Sequence, residues 1–166
     1  MDDRSLTRAI CFFLGALLGV EVVIEIDQPG HTSAIAFAYP DLIAAFNVQP
    51  NWEDYCLEPP CGTLKLNSTD VYDFLENLFN DLLPRIKLLS SYFHLGGDEI
   101  TSNAYMLDDT VNSKKYSVLQ PLIQKFMDRN QDQLQAAGFI PVVWEVSEVK
   151  QAVTLGVSIS ASRNTY

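Results

Sequence analysis

The sequence predicts an α/β fold in which parallel strands are joined by crossover helices. Segments typical of strands and helices alternate along residues 20–145, in the order strand, helix, strand, helix, strand. Strands joined in this way run parallel, with right-handed crossovers. Three successive strand segments also end in acidic or aromatic residues, and the carboxyl ends of parallel strands line the functional site of such folds. The sequence therefore predicts a catalytic rim at one edge of the sheet.

The first elements are an apolar helix and a β-branched strand. Residues 9–20 are apolar and too few to span a membrane as a helix. Because a strand-like run follows without a small-residue cleavage site, we expect a buried helix that ends at Gly19 rather than the core of a signal peptide. Residues 20–27 then favour a strand that stops at Gln28-Pro29-Gly30.

The two crossover helices are the most regular part of the pattern. A long loop region, with a short helix around residues 40–46, leads to the first of them at about Ser68. Its apolar face is formed by residues at helical spacing, namely Val71, Phe74, Leu75, Leu78, Phe79, Leu82 and Leu83. Pro84 is expected to kink or end this helix. The second helix covers about residues 117–137 and stops at Gly138.

Two further strands complete the alternation. Residues 92–95 favour a short strand that ends at Gly96-Gly97-Asp98-Glu99. Residues 139–145 favour a third strand, which ends in Trp144 and Glu145. A fourth strand is expected within residues 157–160.

Length and charge limit the classes of function. A chain of 166 residues fits one domain, and 48% hydrophobic with 19% charged residues favours a folded globular protein. The net charge is -10 and the isoelectric point is near 4.4. Nucleic-acid phosphates and anionic membranes would be repelled by this charge, so we expect neither as a partner.

The three cysteines, Cys11, Cys56 and Cys61, give no metal-binding pattern. They form no cluster with histidines, so we expect no metal site. Cys56 and Cys61 flank a proline-rich loop, where a small disulfide ring can close if the protein is secreted. Two free loop thiols fit the sequence equally well. Asn67-Ser68-Thr69 is a glycosylation sequon, which is also compatible with secretion.

The Asp98-Glu99 pair is the sharpest local signal. Gly96 and Gly97 allow a tight turn and leave space above the end of the strand. Adjacent carboxylates point in different directions, so one can protonate a leaving group while the other orients the substrate. Two like charges this close also raise the proton affinity of one carboxyl group, which suits a general acid. A solvated acidic turn or a metal-binding pair fits these four residues as well as a catalytic pair does.

A second set of candidates lies at the ends of the other two strands. Period-two alternation places Glu25 and Asp27 on the same side of their strand. His31 follows a Pro-Gly turn, from which it can lean toward a carboxylate of the neighbouring strand. Trp144 can supply an apolar wall for a sugar face. Taken singly, His31 and Trp144 also fit structural roles.

Together, these segments resemble family 20 glycoside hydrolases, the β-N-acetylhexosaminidases. The resemblance rests on residues 25–32 (Glu-Ile-Asp-Gln-Pro-Gly-His-Thr), residues 94–99 (His-Leu-Gly-Gly-Asp-Glu) and residues 141–145 (Pro-Val-Val-Trp-Glu). Residues 58–64, Glu-Pro-Pro-Cys-Gly-Thr-Leu, are similar to the corresponding loop of fungal members. The resemblance implies that residues 1–166 are a partial catalytic domain, with the strongest match over 19–145. It implies part of a (β/α)8 TIM barrel, about strands three to five or six.

The resemblance also implies an activity and a role for each candidate residue. Family members remove terminal N-acetylglucosamine or N-acetylgalactosamine from chitin oligosaccharides and glycoconjugates, with retention and with the substrate's acetamido group in place of an enzyme nucleophile. Glu99 would be the general acid and base, and Asp98 would hold the acetamido group. His31 would interact with Glu99, Asp27 would support the site, and Trp144 would line the pocket.

Further expectations concern partners and location. The resemblance implies a carbohydrate substrate, no cofactor, a homodimer in full-length members, and a secreted or vacuolar (lysosome-like) location.

The sequence departs from the family pattern in ways that bear on activity. Val146 stands where a second glutamate is usual, and the tryptophan of the sixth strand is not evident. The family's substrate-binding arginine belongs to the first strand, which would precede residue 1, and a barrel of this kind typically needs about 250 residues. We therefore expect this chain by itself to be inactive or nearly so. The alternative function is that of an inactive truncated fragment, acting as a weak sugar-binding or interaction protein.

Overall fold

The predicted parallel sheet is present. The computed structural model describes residues 3–97 and 99–144. In chain order the elements are α1 (Asp3–Leu17), β1 (Ile24–Glu25), α2 (Ser33–Ala38), β2 (Ile43–Ala45), β3 (Thr63–Leu64), α3 (Thr69–Ile86), β4 (Tyr92–His94), α4 (Tyr116–Ala136) and β5 (Ile140–Val142). The central sheet has the order β1–β4–β5, with both pairings parallel. The strand expected within residues 157–160 lies outside the described residues.

The crossover helices lie close to their predicted bounds. α3 begins at Thr69 and continues through Pro84 to Ile86. Because Pro84 lies in the last turn, its missing N–H disturbs only the end of the helix. α4 is followed by Gly138, whose φ of +80° is the left-handed conformation that commonly ends a helix.

The core joins these helices to the middle strand. Phe79 of α3 packs edge to face on Phe93 of β4, with 5.5 Å between the ring centroids. Phe139, just before β5, packs on the same ring at 6.4 Å. Such aromatic pairs contribute about 0.5–1.5 kcal/mol beyond the burial of their area. Phe93 is fully buried, so the core holds the strand that leads directly into the predicted site.

The expected short helix around residues 40–46 is wrong beyond residue 42. A 3-10 turn covers Pro40–Leu42, and the next three residues form β2, which pairs antiparallel with β3. Leu64 of β3 is completely buried. Burial in this tertiary pairing outweighs the local preference of the segment. The same loop region contains α2, which the sequence pattern did not predict.

The helix expected within residues 9–20 is present as α1, but its predicted burial is wrong. Gly19, with φ of +70°, follows its end. Phe13 is 68% exposed. A Cβ added at Gly15 would lie 2.8 Å from a methyl group of Val22, so the helix approaches the following segment closely there, whereas Leu14 and Leu17 are also exposed. Across the part of the chain that the structure describes, none of the helices combines the length and apolarity needed to traverse a bilayer.

A buried carboxylate connects two loop segments beside the core. Asp108 has no exposed surface. Its Oδ2 accepts the Leu66 backbone N–H at 3.1 Å, and its Oδ1 accepts the backbone N–H and the hydroxyl of Thr110 at 2.8 and 2.6 Å. Hydrogen bonds to a charged acceptor are stronger than neutral ones. Asp108 therefore ties the segment after β3 to the segment that precedes α4.

We expect Asp108→Ala to lower the free energy of unfolding by about 2–4 kcal/mol, because the buried Leu66 N–H loses its acceptor. Urea unfolding followed by circular dichroism measures this change. Asp109→Ala is the matched control, since the Asp109 carboxylate is exposed and pairs with Lys65 at the surface. Equal destabilisation by the two variants would contradict the structural role of Asp108.

Candidate active site

The parallel register brings the carboxyl ends of the three strands to one edge of the sheet. Glu25 of β1 lies beside His94 of β4, and His94 lies beside Val142 of β5. The predicted site residues that the structure describes follow these strand ends: Asp27, His31, Glu99 and Trp144. Asp98, the other predicted catalytic residue, lies outside the described residues.

Asp27 connects the end of β1 to the loop after β4. Its Oδ1 accepts the Gly97 backbone N–H at 2.9 Å. Gly96 has φ of +70°, and a Cβ at this position would overlap the Asp27 carboxylate. The contact thus needs a residue without a side chain at 96 and a donor at 97. Asp27 thereby fixes the start of the loop that leads to Glu99.

His31 lies between two carboxylates. Its Nε2 is 3.0 Å from Glu99 Oε2 and 4.0 Å from Asp27 Oδ2. The shorter distance is that of a hydrogen bond, so we assign the Nε2–H to Glu99 and treat Asp27 as an electrostatic neighbour. The Glu99 side chain is only 12% exposed, which shields this contact from water. The structure thus brings His31 and Glu99 together, and their catalytic roles remain predictions.

The turn that carries His31 is held on both sides. His31 has φ of +53°, a left-handed conformation that costs energy and persists where the surroundings enforce it. The Leu64 N–H donates to the Pro29 carbonyl at 2.9 Å, and the Thr32 N–H donates to the Gly62 carbonyl at 3.1 Å. Strand β3 and the residue before it therefore fix the backbone on either side of the histidine.

Gly30 lets this turn pack directly on the backbone of Glu99. A Cβ at Gly30 would lie 2.6 Å from the Glu99 carbonyl oxygen, which is too close for any side chain. A larger residue here would push Glu99 away from His31 or distort the turn.

Cys56 and Cys61 form a disulfide beside the site, which resolves the alternative that the sequence left open. Both cysteines border a small cavity that His31 and Glu99 also line. The Cys61 N–H donates to Asn47 Oδ1 at 3.0 Å, which anchors the loop to the segment after β2. The disulfide loop therefore forms part of the wall around the histidine and the glutamate.

Trp144 is held at the same edge by contacts with two other strands. Its indole N–H donates to Glu25 Oε1 at 2.8 Å, and its ring lies 4.5 Å from the His94 imidazole between centroids. Alternation along the strand places Glu25 on the same side as Asp27, but no sequence pattern assigns a role to Glu25. His94 begins the His-Leu-Gly-Gly-Asp-Glu motif, and no sequence signal indicates that its ring meets Trp144.

The arrangement is suited to proton transfer. A mostly buried carboxyl group in contact with an imidazole can give up and regain a proton when a substrate atom lies within hydrogen-bond reach. Within residues 3–97 and 99–144, no group of three or more histidine, cysteine or acidic residues is arranged to hold a metal ion.

Comparison with known proteins identifies the class. The sequence profile described as "Glycosyl hydrolase family 20, catalytic domain" matches residues 11–162. The chain therefore belongs to glycoside hydrolase family 20. Its parallel strands and crossover helices are part of the (β/α)8 barrel of that family, as predicted.

Two curated relatives illustrate the extent of the match. A "Beta-hexosaminidase" of Arthroderma benhamiae is 46% identical over 127 residues, which are 76% of this chain and 21% of that protein. A "Chitooligosaccharidolytic beta-N-acetylglucosaminidase" of Ostrinia furnacalis is 30% identical over 132 residues, which are 80% of this chain and 20% of that protein. The chain thus spans about a fifth of the length of these relatives.

A solved structure agrees in fold. The GH20 exo-β-N-acetylglucosaminidase from Vibrio harveyi, in complex with N-acetylglucosamine, superposes with a TM-score of 0.58 at 17% identity. The match covers 76% of this chain and 20% of that one.

We expect Gly96→Ala to destabilise the chain more than Gly19→Ala, by about 2 kcal/mol, because the added methyl group must displace the Asp27 carboxylate. Gly19 is the matched control: it has the same φ of +70°, with no atom within 4 Å of the added Cβ. Both variants carry the cost of a left-handed alanine, about 1–2 kcal/mol. Urea unfolding gives the difference, and equal losses would contradict close packing of Gly96 on Asp27.

Proposed function

We propose that this chain supplies the acid/base part of a β-N-acetylhexosaminidase site. The activity is hydrolysis of terminal N-acetylglucosamine or N-acetylgalactosamine from chitin oligosaccharides or glycoconjugates. The observation that carries the proposal is the 3.0 Å contact between His31 Nε2 and Glu99 Oε2 at the carboxyl edge of a family 20 barrel sheet. Family membership and the two curated relatives support the class of substrate.

In the proposed reaction, Glu99 first acts as the general acid. Its carboxyl proton passes to the glycosidic oxygen while the substrate's acetamido oxygen attacks the anomeric carbon and the leaving group departs. The resulting oxazolinium intermediate is opened by water, and the Glu99 carboxylate takes the proton of that water. Two displacements give net retention, and the chain need not provide a nucleophile. His31 stabilises the ionised form of Glu99 between the two steps.

The remaining candidates support this chemistry. Asp27 holds the Gly97 N–H and so fixes the chain immediately before Asp98. We assign to Asp98 the role of holding the acetamido N–H and balancing the positive charge of the intermediate, on the strength of the family motif. Trp144 forms the wall against which the acetamido group packs.

The proposed surroundings follow from the disulfide and the family. A Cys56–Cys61 bond favours an oxidising compartment, which agrees with a secreted or vacuolar (lysosome-like) protein. The partner is a carbohydrate, and a homodimer is proposed for the full-length form. The proposal requires neither a cofactor nor a metal ion.

A second candidate function is that of a non-catalytic sugar-binding or interaction protein. The exposed apolar side chains of α1 favour it, including Phe13, Leu14 and Leu17. Apolar surface of this kind commonly marks a contact with another protein segment.

Hydrolysis of a chromogenic N-acetylglucosaminide tests the proposal in two settings. For the purified chain alone, we expect little or no turnover, because the described strands provide only part of a barrel. For a chimera in which residues 11–144 replace the matching segment of the Arthroderma benhamiae relative, we expect turnover. Glu99→Gln in the chimera should lower kcat/KM by about 10²–10⁴-fold, since the general acid is lost.

The matched control in the chimera is Glu76→Gln, which removes an exposed carboxylate paired with Arg129 and should leave the rate unchanged. A folded chimera without activity would refute the proposed function. Equal rates for the Glu99→Gln and Glu76→Gln chimeras would refute the role of Glu99.

A further inference from the structure

Glu25 lies at the carboxyl edge of the sheet and reaches the aromatic side chain of a strand that is not its neighbour. Its Oε1 accepts the indole N–H of Trp144 at 2.8 Å. β4 separates β1 from the strand that leads to Trp144, so the carboxylate crosses the middle strand to make this contact. The Glu25 side chain is 37% exposed.

The middle strand contributes an imidazole to the same group. His94 Nδ1 lies 3.4 Å from Glu25 Oε1 and also accepts the Gly96 backbone N–H at 3.0 Å. One nitrogen cannot accept that hydrogen and at the same time donate to Glu25. The backbone bond has the better geometry, so we assign the lone pair of Nδ1 to Gly96 and treat the Glu25–His94 approach as a contact, not an ion pair.

The indole N–H can only donate, so a tryptophan at a polar strand end needs an acceptor to hold one ring orientation. Glu25 provides this acceptor, while the His94 imidazole packs on the ring at 4.5 Å. The two contacts act on different parts of the indole, its N–H and its ring. Together they hold the indole of Trp144 in one orientation.

We propose that Glu25 is a positioning residue, which holds Trp144 in the orientation that forms the wall of the sugar pocket. The inference rests on the proposed function, because Trp144 contacts the acetamido group only if that function is correct. Without the carboxylate, the indole N–H loses a charge-assisted hydrogen bond and the ring is free to turn. Glu25 thus acts through Trp144 on binding of the N-acetyl sugar and does not itself exchange protons with it.

Nitrogen-15 NMR of the chain tests this inference directly. The sequence contains two tryptophans, Trp52 and Trp144, so two indole N–H signals are expected and Trp52→Phe assigns them. We expect the Trp144 signal to lie downfield, as for a strong hydrogen bond, and to move upfield in Glu25→Leu. Glu25→Gln retains an acceptor oxygen and should keep the signal close to its original position, whereas Glu76→Gln should not move it.

Titration of the Arthroderma benhamiae chimera with N-acetylglucosamine, followed on its Trp144 indole signal as assigned by Trp144→Phe, tests the consequence for binding. We expect the dissociation constant to rise about tenfold in Glu25→Leu and to be largely restored in Glu25→Gln, because the indole again has an acceptor.

An unchanged Trp144 signal in a folded Glu25→Leu variant would overturn the inference. So would a wild-type Trp144 signal at the position of a free indole in water, a result that does not depend on any variant folding. Equal sugar affinity in the chimera and in its folded Glu25→Leu variant would overturn the effect on binding. An indole signal that depends on Glu25, in a folded chimera that neither binds N-acetylglucosamine nor hydrolyses the chromogenic substrate, would support the positioning contact and contradict the proposed function.

Discussion

The hydrogen bond from the Gly97 N–H to the Asp27 carboxylate is the contact on which the geometry of the strand-end site depends. Beyond Glu25, the backbone of β1 still follows β4, since the Ile26 N–H donates to the His94 carbonyl. The Asp27 side chain then extends this connection to the loop after β4. Because only one residue separates Gly97 from Glu99 in the sequence, a fixed Gly97 restricts where the Glu99 carboxyl group can lie. The imidazole of His31, whose Nε2 lies 4.0 Å from Asp27 Oδ2, can then reach Glu99 Oε2 at 3.0 Å.

Two sets of contacts support this hydrogen bond. In the core, the fully buried Phe93 is held by aromatic rings of the α3 and β5 segments, and burial of such a side chain contributes about 1.5–3 kcal/mol. At the strand ends, β3 binds the backbone around His31, and the Cys56–Cys61 loop borders the same cavity as Glu99. The site is therefore formed by residues that are distant in sequence. The strands that hold them, β3 and β4, are themselves anchored by the buried side chains of Leu64 and Phe93.

Local pattern predicted the elements that have strong periodicity, and tertiary contacts decided the rest. The α3 helix follows from apolar residues that recur from Val71 onward, and the parallel sheet follows from the order of elements. The β2–β3 pair was not predictable, because it depends on the burial of Leu64 in a distant contact. The bond between Glu25 and Trp144 joins residues 119 positions apart. Only the observed strand register brings Glu25 and Trp144 together. The alternation of side chains and the order of the motifs did, however, indicate which residues follow the strand ends.

The most direct test of the strand-end geometry is hydrogen exchange of the Gly97 backbone amide. In the wild type this amide should be protected by Asp27, and in Asp27→Ala its protection should be lost. The Leu95 amide is the internal reference, since it donates to the Val142 carbonyl at 2.8 Å and should stay protected in both proteins. A Gly97 amide that exchanges freely in the wild type, or that stays protected in Asp27→Ala, would contradict the role of this carboxylate.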